Sequence, residues 1–305
     1  MSARYCVVGS INMDLVAQVD RFPQPGETRT GKSYGTYPGG KGANQAVALA
    51  RLGADTTMAG KIGDDVFGSS YQETFSAEGV DSSIVEVEAG ISTGVAVIEV
   101  DETGENHIII VPGANGPMDR AYVDRHIERI AEADFVLFQL EIPRDTISYT
   151  LELLKNRKPT TILDPAPAQK LPRELLGGVD LITPNESEAE SLTGIAVTDQ
   201  AAAGEAGKAL MEAGASRVII KAGPAGAYII DEKGVVKVEG FEVDVVDTTA
   251  AGDSFNAGLA YALGEGYSIQ AAARYANAVA AVACTGFGAQ SAMPRRADLR
   301  DLLES

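Results

Sequence analysis

The chain has 305 residues, 45% of them hydrophobic, and 25 basic against 43 acidic side chains give a net charge of −18. That balance excludes a general duplex binder, which needs a basic footprint, and no apolar run reaches the roughly 18–20 residues that span a bilayer. Two cysteines, Cys6 and Cys284, read as packing residues and not as a disulfide framework; with no signal segment ahead of the first strand, the cytoplasm is the expected compartment.

The first predicted strand, residues 5–8, runs directly into Gly9-Ser-Ile-Asn12-Met-Asp14. Ligands of parallel α/β sheets bind beyond the carboxyl ends of strands, so Asn12 and Asp14 are candidates to hold two or more hydroxyls of a polyol, although an ordinary Asx turn has the same composition. Residues 15–37 alternate around Pro and Gly without a helical period. The segment Gly35-Thr-Tyr-Pro-Gly-Gly40-Lys41-Gly42 matches G-x-x-x-x-G-K, but Gly42 stands where a P-loop needs Ser or Thr for magnesium. Gly40-Lys-Gly42-Ala-Asn-Gln45 also lacks the third glycine of the dinucleotide fingerprint. What remains is a tight glycine turn that presents Lys41 and Asn44 at the start of a helix over 43–52.

A strand over 56–59 and a helix over 67–77 follow, then a hairpin formed by 93–100 and 108–111 around Asp101-Glu-Thr-Gly104. This hairpin and the alternating residues near the N-terminus are expected to form a small projecting β-sheet, made from about 13–38 and 92–112. Next come a helix over 120–131 and an apolar strand over 135–138 that leads to Glu141, another carboxylate at the strand-end edge. A helix over 146–155 and strands over 161–163 and 181–183 lead to Asn185 and Glu188. Glu188 could hold magnesium through water, but Asn with Glu three residues later is also a capping box. A helix over 202–212, a strand over 218–221 and a hairpin around Asp231-Glu-Lys-Gly234 complete the alternation, which argues for a parallel sheet covered on both faces.

The most informative stretch is Asp247-Thr-Thr-Ala-Ala-Gly-Asp253-Ser-Phe255. Ala250, Ala251 and Gly252 gather bare amides at the start of a helix, where an anion is favoured, and Asp253 lies in its first turn, placed to take a proton from an attacking hydroxyl. An isolated Gly-Asp pair is more commonly just a helix cap, and it is the rest of the chain that favours the base. His107 and His126 lack metal-ligand spacing, so proton chemistry falls to carboxylates.

Taken in order, Gly-Ser-Ile-Asn-Met-Asp, Gly-Gly-Lys-Gly-Ala-Asn-Gln at 39–45, Thr-Pro-Asn-Glu at 183–186 and Asp-Thr-Thr-Ala-Ala-Gly-Asp at 247–253 resemble the signatures of the ribokinase (PfkB) family of carbohydrate kinases, nearly end to end. The resemblance implies a Rossmann-like α/β domain spanning 1–305 with a β-sheet lid that often pairs with another subunit's lid. It also implies ATP-dependent phosphorylation of D-ribose at O5, with fructose, 2-keto-3-deoxygluconate or a nucleoside as other acceptors. A sugar-binding regulator without catalysis is opposed by the intact Asp253, and an NAD enzyme by the missing fingerprint.

By resemblance, Asp253 is the base, and Gly252 with the neighbouring amides of Ala250 and Ala251 forms the anion hole. Asn12, Asp14, Gly40, Lys41, Asn44 and Glu141 hold the sugar, with Ala96, Ile98 and Ile110 as the lid's apolar wall. Asn185, Lys221, Gly223, Gly226, Gly252 and Asn277 lie along ATP, with Glu188 serving Mg2+. Asp247 and Thr249, with carbonyls from the 283–292 turn (Ala283, Gly286, Gly288, Ala292), match a K+ site. Three positions depart from the family pattern: Lys221 where Thr is frequent, Asn277 where His is, and Ser291-Ala292 in place of Pro-Ser.

Overall fold

The computed structural model describes residues 2–304. Strand β1 (Arg4–Val8) alternates its side chains between two cores. Tyr5 and Val7 enter one and Cys6 and Val8 the other, as a strand covered on both faces must do. After it come β2 (Asn12–Gln18), β3 (Ser33–Gly39), α1 (Lys41–Arg51), β4 (Asp55–Gly63), α2 (Val66–Glu78), β5 (Asp81–Glu88), β6 (Gly94–Val100) and β7 (Asn106–Val111). The chain continues through α3 (Arg120–Ala131), β8 (Phe135–Phe138), α4 (Arg144–Leu154), β9 (Thr160–Leu163), α5 (Arg173–Leu176), β10 (Leu181–Ile182), α6 (Glu186–Thr193) and α7 (Gln200–Glu212). It ends with β11 (Val218–Lys221), β12 (Ala227–Asp231), β13 (Gly234–Val238), α8 (Ala251–Gly264), α9 (Ile269–Ala283) and α10 (Arg300–Glu304).

The main sheet has nine strands in the order β13-β12-β11-β10-β9-β8-β1-β4-β5. It is parallel from β11 to β5, and an antiparallel hairpin closes the other edge. Helices α1, α2, α8 and α9 cover one face and α3 to α7 the other. Each fully buried aliphatic side chain contributes about 1.5–3 kcal/mol. Strand β5 is not singled out by the sequence patterns above, because it begins polar and only half-buries its length at the sheet edge.

The second sheet, β3-β2-β6-β7, branches off straight after β1. Cross-strand register places Tyr37, Asp14, Ala96 and Ile110 in one row on the same face, and Ile98 two residues along joins them. The opposite face exposes Tyr34, Val97, Ile109 and Val111.

Candidate active site

The chain leaves β1 toward β4 on one side and returns through β8 and β9 on the other, so the strand order reverses beside β1. Crevices at such reversals lie beyond the carboxyl ends of the strands. Each side chain of interest follows a strand for this reason: Ser10 and Asn12 after β1, Glu141 after β8, Asp164 after β9, Asn185 after β10 and Lys221 closing β11. Of these, Asp164, Asn185 and Lys221 border a cleft of about 1090 Å3, which Lys41 and Asp253 also line.

On the β1 side, Glu141 Oε2 accepts from Ser10 Oγ (2.6 Å), the Lys41 amide (3.2 Å) and Asn12 Nδ2 (3.3 Å). Asn115, which sequence reasoning missed, locks Asn12 by donating to its Oδ1 at 2.7 Å. Gly40 sits at φ +84°, and a Cβ there would meet the Asn12 amide at 2.6 Å, so only glycine allows the two segments to approach. Burial pushes Asp14 up to about 7, with the charges of Glu141 and Asp253 adding to it and Lys41 opposing. The structure thus brings Asn12, Asp14, Lys41, Asn44 and Glu141 together, with Ala96, Ile98 and Ile110 on the same face of the second sheet as Asp14.

Asp253 is 4% exposed. Its Oδ2 accepts from Asn44 Nδ2 at 3.0 Å and its Oδ1 from Gln45 Nε2 at 3.2 Å. Gln45 is held in turn by Gln139 Nε2 at 2.7 Å and also donates to Asp164 Oδ2 at 3.3 Å. Burial pushes Asp253 up to about 6, with Lys41 opposing, Asp164 adding, and the two amide donors opposing. The same acids act on Lys41: burial pulls it down, but Asp253, Asp164, Glu141 and Glu188 more than offset this and hold it raised. Gln45, Gln139 and Asp164 were not among the expected residues. Asp164 was findable by the strand-end rule, whereas the two glutamines announce themselves only through tertiary contact.

Helix α8 begins where Ala250 adopts a left-handed conformation at φ 59°. The Ala251 amide turns back onto the Thr248 carbonyl at 3.2 Å, so it is not a free donor. The amides of Gly252 and Asp253 follow at the open end of the helix, where N–H groups have no intrahelical partner. Across the cleft, Lys221 Nζ lies 2.8 Å from Asp164 Oδ1 and 3.3 Å from where a Cβ on Gly252 would stand. Gly223 and Gly226 form the turn after β11, both at positive φ. Asn277 spends its amide on the carbonyls of Val238 (3.2 Å) and Glu239 (3.0 Å), fixing the loop that borders the cleft.

Asn185 and Glu188 form the capping box, each accepting from the other's backbone N–H at 2.8 Å. Burial pushes Glu188 up, with Lys221 opposing, Asp164 adding, and the Asn185 amide and Lys41 opposing. Among the described residues no cluster of three or more His, Cys, Asp or Glu forms a metal cage. Behind α8, Asp247 Oδ1 accepts from Thr249 Oγ1 (2.6 Å) and its amide (2.9 Å), and Oδ2 from the Gly288 amide (2.9 Å). Burial pushes Asp247 up, but these hydrogen bonds outweigh it and keep the carboxylate ionised. Ala283 ends α9, and Gly286 packs close to Ala292, since a Cβ on Gly286 would meet the Ala292 Cβ at 2.9 Å.

Among the described residues no helix is long and apolar enough to cross a membrane. The model of the pfkB family of carbohydrate kinases matches residues 2–296. A ribokinase of Haemophilus influenzae is 42% identical over 98% of this chain and 97% of its own length. A ribokinase of Bacillus subtilis is 41% identical over 98% of both. The solved structure of Arabidopsis thaliana ribokinase complexed with ribose and ATP superposes with a TM-score of 0.95 at 33% identity, covering 100% of each chain.

Proposed function

This chain belongs to the pfkB family of carbohydrate kinases, and from that premise we propose that it transfers the γ-phosphoryl group of ATP to O5 of D-ribose. The observation that carries the reading is the seat of Asp253, a buried carboxylate tied through Asn44 to the hydroxyl-binding side and lying in the first turn of the amide-bearing helix end. Asp253 takes the O5 proton as the new O5–P bond forms and the bond from phosphorus to the ADP oxygen breaks, and ADP leaves with that electron pair. The Gly252 and Asp253 amides, reinforced by the α8 dipole, stabilise charge on the phosphoryl oxygens. Asn12, Asp14, Lys41 and Glu141 orient the sugar; Asn185, Gly223, Gly226 and the loop held by Asn277 flank the nucleotide.

Glu188 would help hold Mg2+, which would supply positive charge to the nucleotide's phosphates. The donor set at Asp247, Thr249 and the 283–292 turn is all oxygen with one ionised carboxylate, which suits K+ and would steady the turn that leads into α8. The second sheet acts as the lid, excluding water so that ATP is spent on sugar. Such a reaction belongs to the cytoplasm, where ATP is held. A steady-state assay with Mg2+, K+ and ATP over ribose, 2-deoxyribose, fructose, 2-keto-3-deoxygluconate and nucleosides tests the reading, and absence of ribose turnover overturns it.

The base must be ionised to act, so kcat/KM for sugar falls as pH drops below about 6. The fall approaches roughly tenfold per pH unit. Asp14, at about 7, ionises in the same window and strengthens its acceptance of sugar hydroxyls as pH rises. A profile flat down to pH 5 would remove Asp253 from the role of base.

Pairing of two copies through the lid is part of this reading, supported by the exposed apolar side chains Tyr34, Val97, Ile109 and Val111 on its outer face. Ile109→Asp should shift the mass measured by light scattering from dimer toward monomer. A monomer before substitution would defeat the pairing.

A further inference from the structure

We propose that Lys221 grips the transferring γ-phosphoryl group, and that buried Asp164 holds this lysine in place when no nucleotide is bound. The inference rests on the kinase reading above. Lys221 is fixed from its backbone: it pairs with Ala227 in β12, bridges to Asn185, and donates its amide to the Pro184 carbonyl at 2.8 Å. Its side chain therefore leaves the sheet at the carboxyl edge, where the nucleotide cleft opens. There Nζ stands beside Gly252, whose amide is one of the two left at the start of α8.

The partner of Lys221 explains its position. Asp164 is 2% exposed, and burying a carboxylate is costly unless it is paired. One oxygen of Asp164 binds Lys221 at 2.8 Å, while the other accepts from Gln45 Nε2, the same group that donates to Asp253. A continuous hydrogen-bonded chain, Lys221–Asp164–Gln45–Asp253, thus joins the phosphate side of the cleft to the base. Charge balance points the same way. The whole chain carries −18, and Asp253, Asp164 and Glu188 border the cleft, so an incoming triphosphate needs a local cation. Lys41 begins α1 with its amide on Glu141 at the sugar side. The Lys41 side chain lines the cleft as well, among Asp253, Asp164, Glu141 and Glu188. Lys221 stands instead on the β11 side beside the Gly252 backbone, the position from which a cation reaches a phosphate held by that amide.

Two nucleotides that differ by that phosphate separate this role from a structural ion pair. Affinities of a non-hydrolysable ATP analogue and of ADP, each with Mg2+, are measured by calorimetry for the parent protein, Lys221→Met, Lys221→Arg and the double variant Asp164→Asn/Lys221→Met. The double variant removes the unpaired buried carboxylate that could unfold Lys221→Met, and thermal melting checks that each variant is folded. Lys221→Met and the double variant should lose about ten- to hundred-fold in affinity for the ATP analogue, the size of a charge-assisted contact, with ADP binding nearly unchanged. Lys221→Arg should retain most of the affinity. Equal losses for both nucleotides, or parental affinity for the ATP analogue in the double variant, would overturn the proposal. Neither measurement needs a sugar, so failure of ribose turnover would leave this test intact.

Discussion

Asp253→Asn should lower kcat by about two to four orders of magnitude while sugar and ATP affinities stay within a few-fold. The substitution keeps shape and nearly all contact area but removes the site that receives the hydroxyl proton. Its structural cost is limited and has a definite source. Both partners of the carboxylate, Asn44 Nδ2 and Gln45 Nε2, are donors, so the new amide nitrogen must face one of them. An unsatisfied buried donor costs about 1–3 kcal/mol. Part of that is offset because Asp253 is itself destabilised as an anion, burial having pushed it up to about 6. The variant should therefore melt a few degrees lower yet remain folded at assay temperature. Initial-rate assays paired with sugar and nucleotide titrations separate the two effects, and a kcat within tenfold of the parent would remove the base from the mechanism.

Gly42→Ala should destabilise the protein and reduce kcat/KM for the sugar together. Gly42 lies within α1, where alanine is favoured over glycine by about 1 kcal/mol on propensity alone. Packing decides the other way. A Cβ at position 42 would stand 2.6 Å from both the Gly9 carbonyl carbon and the Ser10 amide, main-chain atoms that cannot swing aside. Overpacking of this kind costs about 1–3 kcal/mol and more where backbone must move. The movement is felt in the site because α1 carries Lys41, Asn44 and Gln45, while the opposing segment carries Ser10 and Asn12. Displacing reacting groups by about 1 Å can cost on the order of a hundredfold in rate. Denaturant melts and sugar saturation curves are the measurements, and a variant more stable than its parent with unchanged kcat/KM would show that the two segments are not closely packed.

Much of the architecture was legible because its signals are local. Strand runs such as residues 135–138, apolar throughout, and 218–220, β-branched throughout, stand out locally, and the observed β8 and β11 contain them. The glycine turn at 39–42 and the Asp253 helix start are contiguous in sequence, so their chemistry could be read from neighbouring residues. The capping box of Asn185 and Glu188, weighed as one of two readings, is present in the structure. The Ala251 amide differs from expectation, since it closes a turn onto Thr248 instead of facing the anion site.

The sequence alone determined the strand and helix alternation, the loops that must be glycine, and the carboxylate at the start of α8, because each depends on residues within one or two turns of one another. Tertiary structure alone decided which distant groups share the cleft. Gln45, held by Gln139, became a clamp on Asp253, and Asp164 became the counter-ion of Lys221, only because segments far apart in the chain meet at one edge of one sheet. Polar side chains of these types carry no local pattern that distinguishes a surface position from a buried partner. Their roles are fixed by what the fold removes from water and places opposite them.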